Sequence, residues 1–154
     1  MVGYMPLTLL REHAFTRGLT DEQIAALAEL ATEVAFQEND VILVDGQHST
    51  SFYLLLTGSV VVELRTPVSV MMVQALGPGN VFGWSALLDR QDTLFQVRAR
   101  EHTTALEIDG AKLQARCMTD TRLGVELLHR ILHVVAGRVK ATELRFAEMC
   151  GIRI

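Results

Sequence analysis

The chain has 154 residues and a mass of 17.1 kDa, enough to bury one hydrophobic core and too little for two ordinary domains, so residues 1–154 are read as one domain. Hydrophobic residues make up 49%, charged residues 21%, and the mean hydropathy is +0.26; this excludes a disordered tail and leaves apolar surface for a partner, which points to an oligomer. With 14 Lys and Arg against 18 Asp and Glu the formal charge is −4 and the pI near 5.7, which opposes binding of a phosphate backbone by the fold as a whole.

The apolar run Phe52 to Leu56 is five residues long, far below the roughly 18 that a bilayer span needs, and Met1 to Pro6 lacks the charged-then-apolar layout of a signal peptide. A cytoplasmic protein without a membrane segment is expected. Cys117 and Cys150 form no Cys-x-x-Cys pair and are read as reduced thiols rather than a zinc or redox site.

Leu7, Leu9 and Leu10 open a helical lead that breaks at Arg17-Gly18. Thr20-Asp21-Glu22-Gln23 then has the layout of a capping box, with Ile24, Leu27 and Leu30 at helical spacing, so a helix is predicted over 21–31 within an N-terminal helical region of 7–31. From Thr32 to Ile108 the pattern alternates in short runs cut by Gly, Asn, Asp and Pro. That predicts a mainly β domain, an antiparallel β-roll or jelly roll over 32–108, rather than βαβ units.

Within the roll, Val60, Val62 and Leu64 are assigned to one face and Val61, Glu63 and Arg65 to the other; Phe95, Val97 and Ala99 likewise oppose Gln96, Arg98 and Arg100. Thr57-Gly58-Ser59 is read as a hairpin turn joining Phe52–Leu56 to Val60–Leu64, because glycine accepts the positive φ such turns demand. Another break falls at Gly77-Pro78-Gly79.

After Asp109-Gly110 the period is helical again, giving C-terminal helices over 110–149: a short one near Ala111 to Cys117 and a long one from about Thr121 to Met149. Leu128, Leu132, Val135, Val139, Thr142, Phe146 and Met149 recur in steps of four and three, and Leu127, Ile131 and Val134 form a neighbouring stripe. One stripe can pack on the chain's own barrel and the other on a second copy, although a single broad core-facing stripe gives a similar pattern. A homodimer through this helix is expected, with Leu128, Leu132, Val135, Val139 and Phe146 at its interface.

The segment Gly77-Pro78-Gly79-Asn80-Val81-Phe82-Gly83-Trp84-Ser85-Ala86-Leu87-Leu88 is a glycine-rich turn running into a short apolar helical stretch. Backbone N–H groups can approach a ligand across glycines, and a helix N-terminus adds unsatisfied donors, so the segment reads as an anion cradle. Ser85 lies in Gly-Trp-Ser-Ala, which is not the Gly-x-Ser-x-Gly elbow of a nucleophile, and no base can be assigned to it; the chain is not read as an enzyme. His129 and His133 have a spacing that binds a metal when a third ligand arrives, but polar positions flanking an interface explain them better. No metal site is assigned.

The order of elements, together with Asp45-Gly46-Gln47, Phe52-Tyr53-Leu54-Leu55-Leu56-Thr57-Gly58 and Leu76-Gly77-Pro78-Gly79-Asn80-Val81-Phe82-Gly83, resembles the cyclic-nucleotide-binding domain family, the sensor half of catabolite activator protein and its relatives, over about residues 7–147. The resemblance implies a regulatory small-molecule sensor with no required cofactor, whose ligand is a cyclic nucleotide or another small anion. It places the ligand contacts at Val81, Phe82, Gly83, Trp84, Ser85, Ala86, Arg90, Thr93 and Leu94. The family carries a glutamate after the Phe-Gly pair for the ribose hydroxyl and an arginine about ten residues later for the phosphate; here Trp84 stands at the first position and Thr93 at the second. Losing the charge-assisted phosphate contact costs about 1.5–3 kcal/mol, so tight binding of cAMP or cGMP is not expected. Arg90, Arg98 and Arg100 are the candidate replacements for that cation, with Arg98 and Arg100 expected to face solvent. The alternative reading is a ligand-independent dimeric interaction protein in which Trp84 fills a vestigial pocket. The family's transcription factors follow the long helix with a helix-turn-helix module; this sequence ends at about that point, so no direct nucleic-acid binding is expected.

Overall fold

The computed structural model describes residues 4–88, 92 and 94–152. Helix α1 (Tyr4–Glu12), a 3₁₀ turn (Ala14–Thr16) and helix α2 (Asp21–Ala28) lead into strands β1 (Ala31–Phe36), β2 (Val41–Leu43), β3 (Ser51–Thr57), β4 (Val60–Arg65), β5 (Val70–Leu76) and β6 (Val81–Phe82). A second 3₁₀ turn (Trp84–Leu87), β7 (Phe95–Ala99), β8 (Thr103–Asp109), α3 (Gly110–Thr119) and α4 (Thr121–Met149) complete the order. The strands form two antiparallel four-stranded sheets, β1-β8-β3-β6 and β2-β7-β4-β5. This is the antiparallel β-roll with flanking helices and a long C-terminal helix that the sequence pattern predicts.

The capping box at the start of α2 forms as expected: Gln23 N–H donates to Thr20 Oγ1 at 3.1 Å, and Thr20 N–H donates to Gln23 Oε1 at 2.9 Å. The helix stops three residues before the predicted end because Ala31 is already paired with Ile108 in the β1–β8 ladder. Asp109 and Asp120 cap α3 and α4 in the same manner, accepting from Lys112 N–H at 3.0 Å and Leu123 N–H at 3.2 Å.

The connection at Thr57-Gly58-Ser59 is not a hairpin turn. Strand β3 pairs with β8 and β6, and β4 pairs with β5 and β7, so the chain crosses from one sheet to the other there. Gly58 has φ +83°, and a Cβ on it would lie 2.4 Å from the His102 carbonyl oxygen, so the crossover also presses against the β7–β8 connection. A hairpin with one wet face alternates apolar and polar residues, whereas β3 and β4 are apolar almost continuously because both faces of each are covered.

The two faces of β3 feed two cores. Phe52 and Leu54 join Leu106, Ile108, Leu27, Leu113, Leu123, Leu127 and Ile131 between the first sheet and the helices. Tyr53 and Leu55 turn the other way and meet Val60, Val62, Phe82, Val97 and Ala105 between the two sheets. Strand β4 is buried on both faces, with Val61 and Glu63 buried on the face opposite Val60 and Val62. The physical reason is a polar cluster on that face. Glu63 Oε1 accepts from Gln96 Nε2 at 2.7 Å and from Arg98 Nε at 2.7 Å, Oε2 accepts from Arg98 Nη2 at 3.2 Å, and Arg98 Nη1 donates to Asn39 Oδ1 at 2.9 Å. Gln96 is buried and Arg98 half-buried rather than turned to solvent, because a carboxylate can be buried only when it is paired and hydrogen-bonded.

Helix α4 is buried only at its root, through Leu123, Gly124, Leu127 and Ile131. Among the described residues, no helix is long and apolar enough to cross a membrane.

Candidate functional site

The glycine-rich segment is built as a tight turn followed by a short strand. Asn80 Oδ1 accepts from Gly77 N–H at 2.9 Å, Gly79 N–H donates to the Leu55 carbonyl at 3.2 Å, and Leu55 N–H donates to the Asn80 carbonyl at 2.9 Å. Strand β6 then lies on β3 with Phe82 opposite Tyr53 and Val81 opposite Leu54, and the Tyr53 and Phe82 rings stack at 4.8 Å. Gly83 follows at φ +81°, where a Cβ would lie 2.6 Å from the Ser51 carbonyl oxygen. Only glycine lets the chain leave β6 at this angle and this close to β3. The helical stretch beyond it is a single 3₁₀ turn, Trp84–Leu87, so the macrodipole expected of a full helix is largely absent there.

A cavity of about 410 Å³ opens beside Gly83. One wall is the segment Gly83, Trp84 and Ser85; a second is formed by Leu43, Leu94, Phe95 and Val97 from the roll; the third is α4, through Val135, Arg138, Val139, Thr142 and Glu143. Asp92 completes the lining. Of the ligand contacts expected from sequence, Gly83, Trp84, Ser85 and Leu94 line this cavity. Val81 and Phe82 are buried in the two cores, and Ala86 is buried outside the lining. Arg90 and Thr93 lie outside the described residues. Trp84 is half-buried against the helix-side core and forms wall rather than filling.

The candidate cations separate clearly. Arg98 is committed to Glu63 and is not part of the lining, and Arg100 is exposed in the β7–β8 connection. Among the described residues, the cation that lines the cavity is Arg138. Its Nε donates to Gln74 Oε1 of β5 at 2.8 Å, and its guanidinium carbon stands 5.9 Å from the centre of the Phe95 ring, within cation–π range. Burial alone pushes its pKa down, to about 10, so it is still charged at neutral pH. No carboxylate among the described residues lies within ion-pair distance of it. Sequence reasoning passed over this residue, yet a signal was present: Leu127, Ile131 and Val134 step by four and three, and the next position on that inward stripe is Arg138.

The proposed seam divides along α4. Leu128, Leu132, Phe146 and Met149 are exposed, Val135 packs partly against the helix-side core, and Val135 and Val139 both line the cavity. The His129 and His133 rings meet edge to face at 4.9 Å, and no group of three metal-ligating side chains forms among the described residues.

The family profile of the cyclic nucleotide-binding domain matches residues 33–120, more than half of the chain. A protein of Rhodopseudomonas palustris named as a potassium channel is 28% identical over 134 residues, covering 86% of this chain; the chain spans 31% of that protein's length and 12% of a second relative's. Among solved structures, one named as a cyclic nucleotide-binding protein from Geobacter metallireducens superposes with a TM-score of 0.76 at 27% identity, covering 88% of this chain and 98% of the other. The regulatory subunit of a cAMP-independent protein kinase A from Trypanosoma brucei shares the fold, with a TM-score of 0.64 at 23% identity over 71% of this chain and 39% of the other. With profile and architecture in agreement, the chain belongs to the cyclic nucleotide-binding domain family.

Proposed function

We propose that the chain is a ligand-sensing regulatory domain, a binding module rather than an enzyme, working in the bacterial cytoplasm as a homodimer through α4. The observation that carries this reading is the construction of the cavity, whose walls come from both the rigid roll and the long helix. A ligand there touches both, and so favours the placement of α4 seen here over one withdrawn from the roll; that difference in affinity is what shifts the equilibrium between them. The exposed side chains Leu128, Leu132 and Phe146 would transmit the shift to a second copy of the chain.

Tight binding of cAMP or cGMP is not expected, because Trp84 has no acceptor for a ribose hydroxyl. The same fold occurs in the regulatory subunit of a T. brucei protein kinase A named as cAMP-independent. An open cavity with Trp84 in its wall favours sensing over the alternative of a ligand-independent scaffold with a filled pocket.

The test is a thermal-shift titration with cAMP, cGMP and cyclic dinucleotides, with AMP as control, confirmed by calorimetry. A ligand at 100 times its Kd adds about 2.7 kcal/mol to the native state, so binding at micromolar to millimolar levels raises Tm measurably. No response to any member of the panel would remove cyclic nucleotides from the proposal. For the dimer, Leu132→Glu should give monomers by sedimentation velocity; a dimer that persists would place the interface elsewhere.

A further inference from the structure

We propose that the cavity takes a small organic monoanion whose acid group is held by the Arg138 guanidinium of α4, while its apolar body lies on Trp84, Phe95 and Val97. This rests on the ligand-binding reading above and specifies the chemistry of the ligand.

Three observations carry it. First, Arg138 is a half-buried cation that lines an otherwise largely apolar cavity and has no carboxylate partner among the described residues. Desolvating a guanidinium without a counter-charge is unfavourable, and an anion arriving in the cavity removes that cost. Second, the guanidinium is already oriented: Gln74 Oε1 holds Nε, the Phe95 ring lies to one side, and the two Nη groups have no partner among the described residues. Two parallel N–H donors match the geometry of a carboxylate. The neighbouring Thr142 hydroxyl is already donated to the Arg138 carbonyl at 2.9 Å, which leaves the guanidinium as the strongest donor on that wall.

Third, Asp92 and Glu143 line the same cavity. Their negative charge opposes a dianion more strongly than a monoanion, which favours a monoanion over a phosphate monoester or a nucleoside diphosphate. Leu43, Leu94, Phe95, Val97 and Val139, with the Trp84 ring, offer apolar contact area, and a volume of about 410 Å³ suits a ligand with an apolar body of moderate size.

Trp84 is the only tryptophan in the chain and lines the cavity, so its fluorescence reports directly on occupancy. The experiment titrates the whole protein with decanoate and 4-phenylbutyrate, each beside its neutral primary amide, and with cAMP, in the wild type, Arg138→Met and Arg138→Lys. The expected result is a saturable change in Trp84 emission with the acids, weakened about ten- to a hundredfold in Arg138→Met, with Arg138→Lys intermediate and the amides insensitive to the substitution. Thermal melts and gel filtration of the variants establish that they fold. Acids that bind wild type and Arg138→Met equally overturn the role of Arg138 while leaving the cavity a ligand site. A response to cAMP alone, unchanged by Arg138→Met, overturns the inference and leaves the sensing function standing. No response to any probe overturns both.

Discussion

Replacing Arg98 with methionine tests whether the buried carboxylate of Glu63 is held in place by its partner. Methionine keeps most of the apolar stem and removes the charge, leaving Glu63, 3% exposed, with Gln96 Nε2 as its remaining donor in this cluster. Breaking a fully buried ion pair from one side costs about 3–5 kcal/mol. The Arg98 side chain is 32% exposed, so water reaches part of the vacated site, and the expected loss is nearer about 2–3 kcal/mol. The pH dependence supplies an independent check. In the wild type, the bonds from Arg98 hold the Glu63 carboxyl below its ordinary value of 4.5; its contribution is therefore full above that value and is lost as the pH falls through the lowered one. In Arg98→Met the carboxylate is buried without its cation, the protonated form is favoured, and the deficit should shrink as the pH is lowered from 7 to 4. Urea denaturation at both pH values measures this, with Glu63→Gln/Arg98→Met expected to recover part of the loss at pH 7. A deficit under about 1 kcal/mol at pH 7, or one that does not shrink at pH 4, would refute the reasoning. Because Arg98 does not line the cavity, Trp84 emission should be unchanged by this substitution.

His13 and Gly83 give two further expectations. His13 Nδ1 accepts from Phe15 N–H at 3.0 Å, so Nε2 carries the hydrogen and donates to the Leu55 carbonyl at 2.8 Å. Burial lowers its pKa from the usual 6.5, so stability contributed by the neutral ring is intact above 6.5 and declines as the pH falls from there toward the lowered value. NMR titration of the His13 ring should give a midpoint below 6.5, and a midpoint at or above it contradicts this account. Gly83→Ala should cost at least about 2 kcal/mol in urea denaturation, from the left-handed backbone and the close approach to Ser51 combined; a change below about 0.5 kcal/mol would show that the turn relaxes freely.

Much of the fold was legible because its signals are local. The Thr20–Gln23 capping box, the switch from alternation to helical period at Asp109-Gly110 and the extent of α4 each depend on neighbours in the chain. What was misread depends on distant partners. Gly58 looks the same in a hairpin turn and in a crossover between sheets, and only the pairing of β3 with β8 and of β4 with β7 separates the two. The burial of Glu63 is not visible until Arg98 and Gln96, on a strand more than thirty positions away, are brought beside it. The site divided in the same way: Gly83, Trp84 and Ser85 could be placed from the glycine-rich segment, whereas the helical wall with Arg138 comes from packing α4 across the roll.

Helix α4 spans about 43 Å at the usual rise per residue, yet its buried residues all lie between Leu123 and Ile131. Beyond Ile131 no described residue of the helix is buried, and Gly137 has open space around its Cβ position. The distal turns are therefore held by little more than the Arg138–Gln74 bond and the partial contacts of Val134 and Val135. Their amides should exchange with solvent at a cost well below that of unfolding the roll, in a gradient that rises toward the root. A ligand that merely quietened those turns, with no displacement of the helix axis, would already change what a second helix meets, so this domain can signal through order as well as through position.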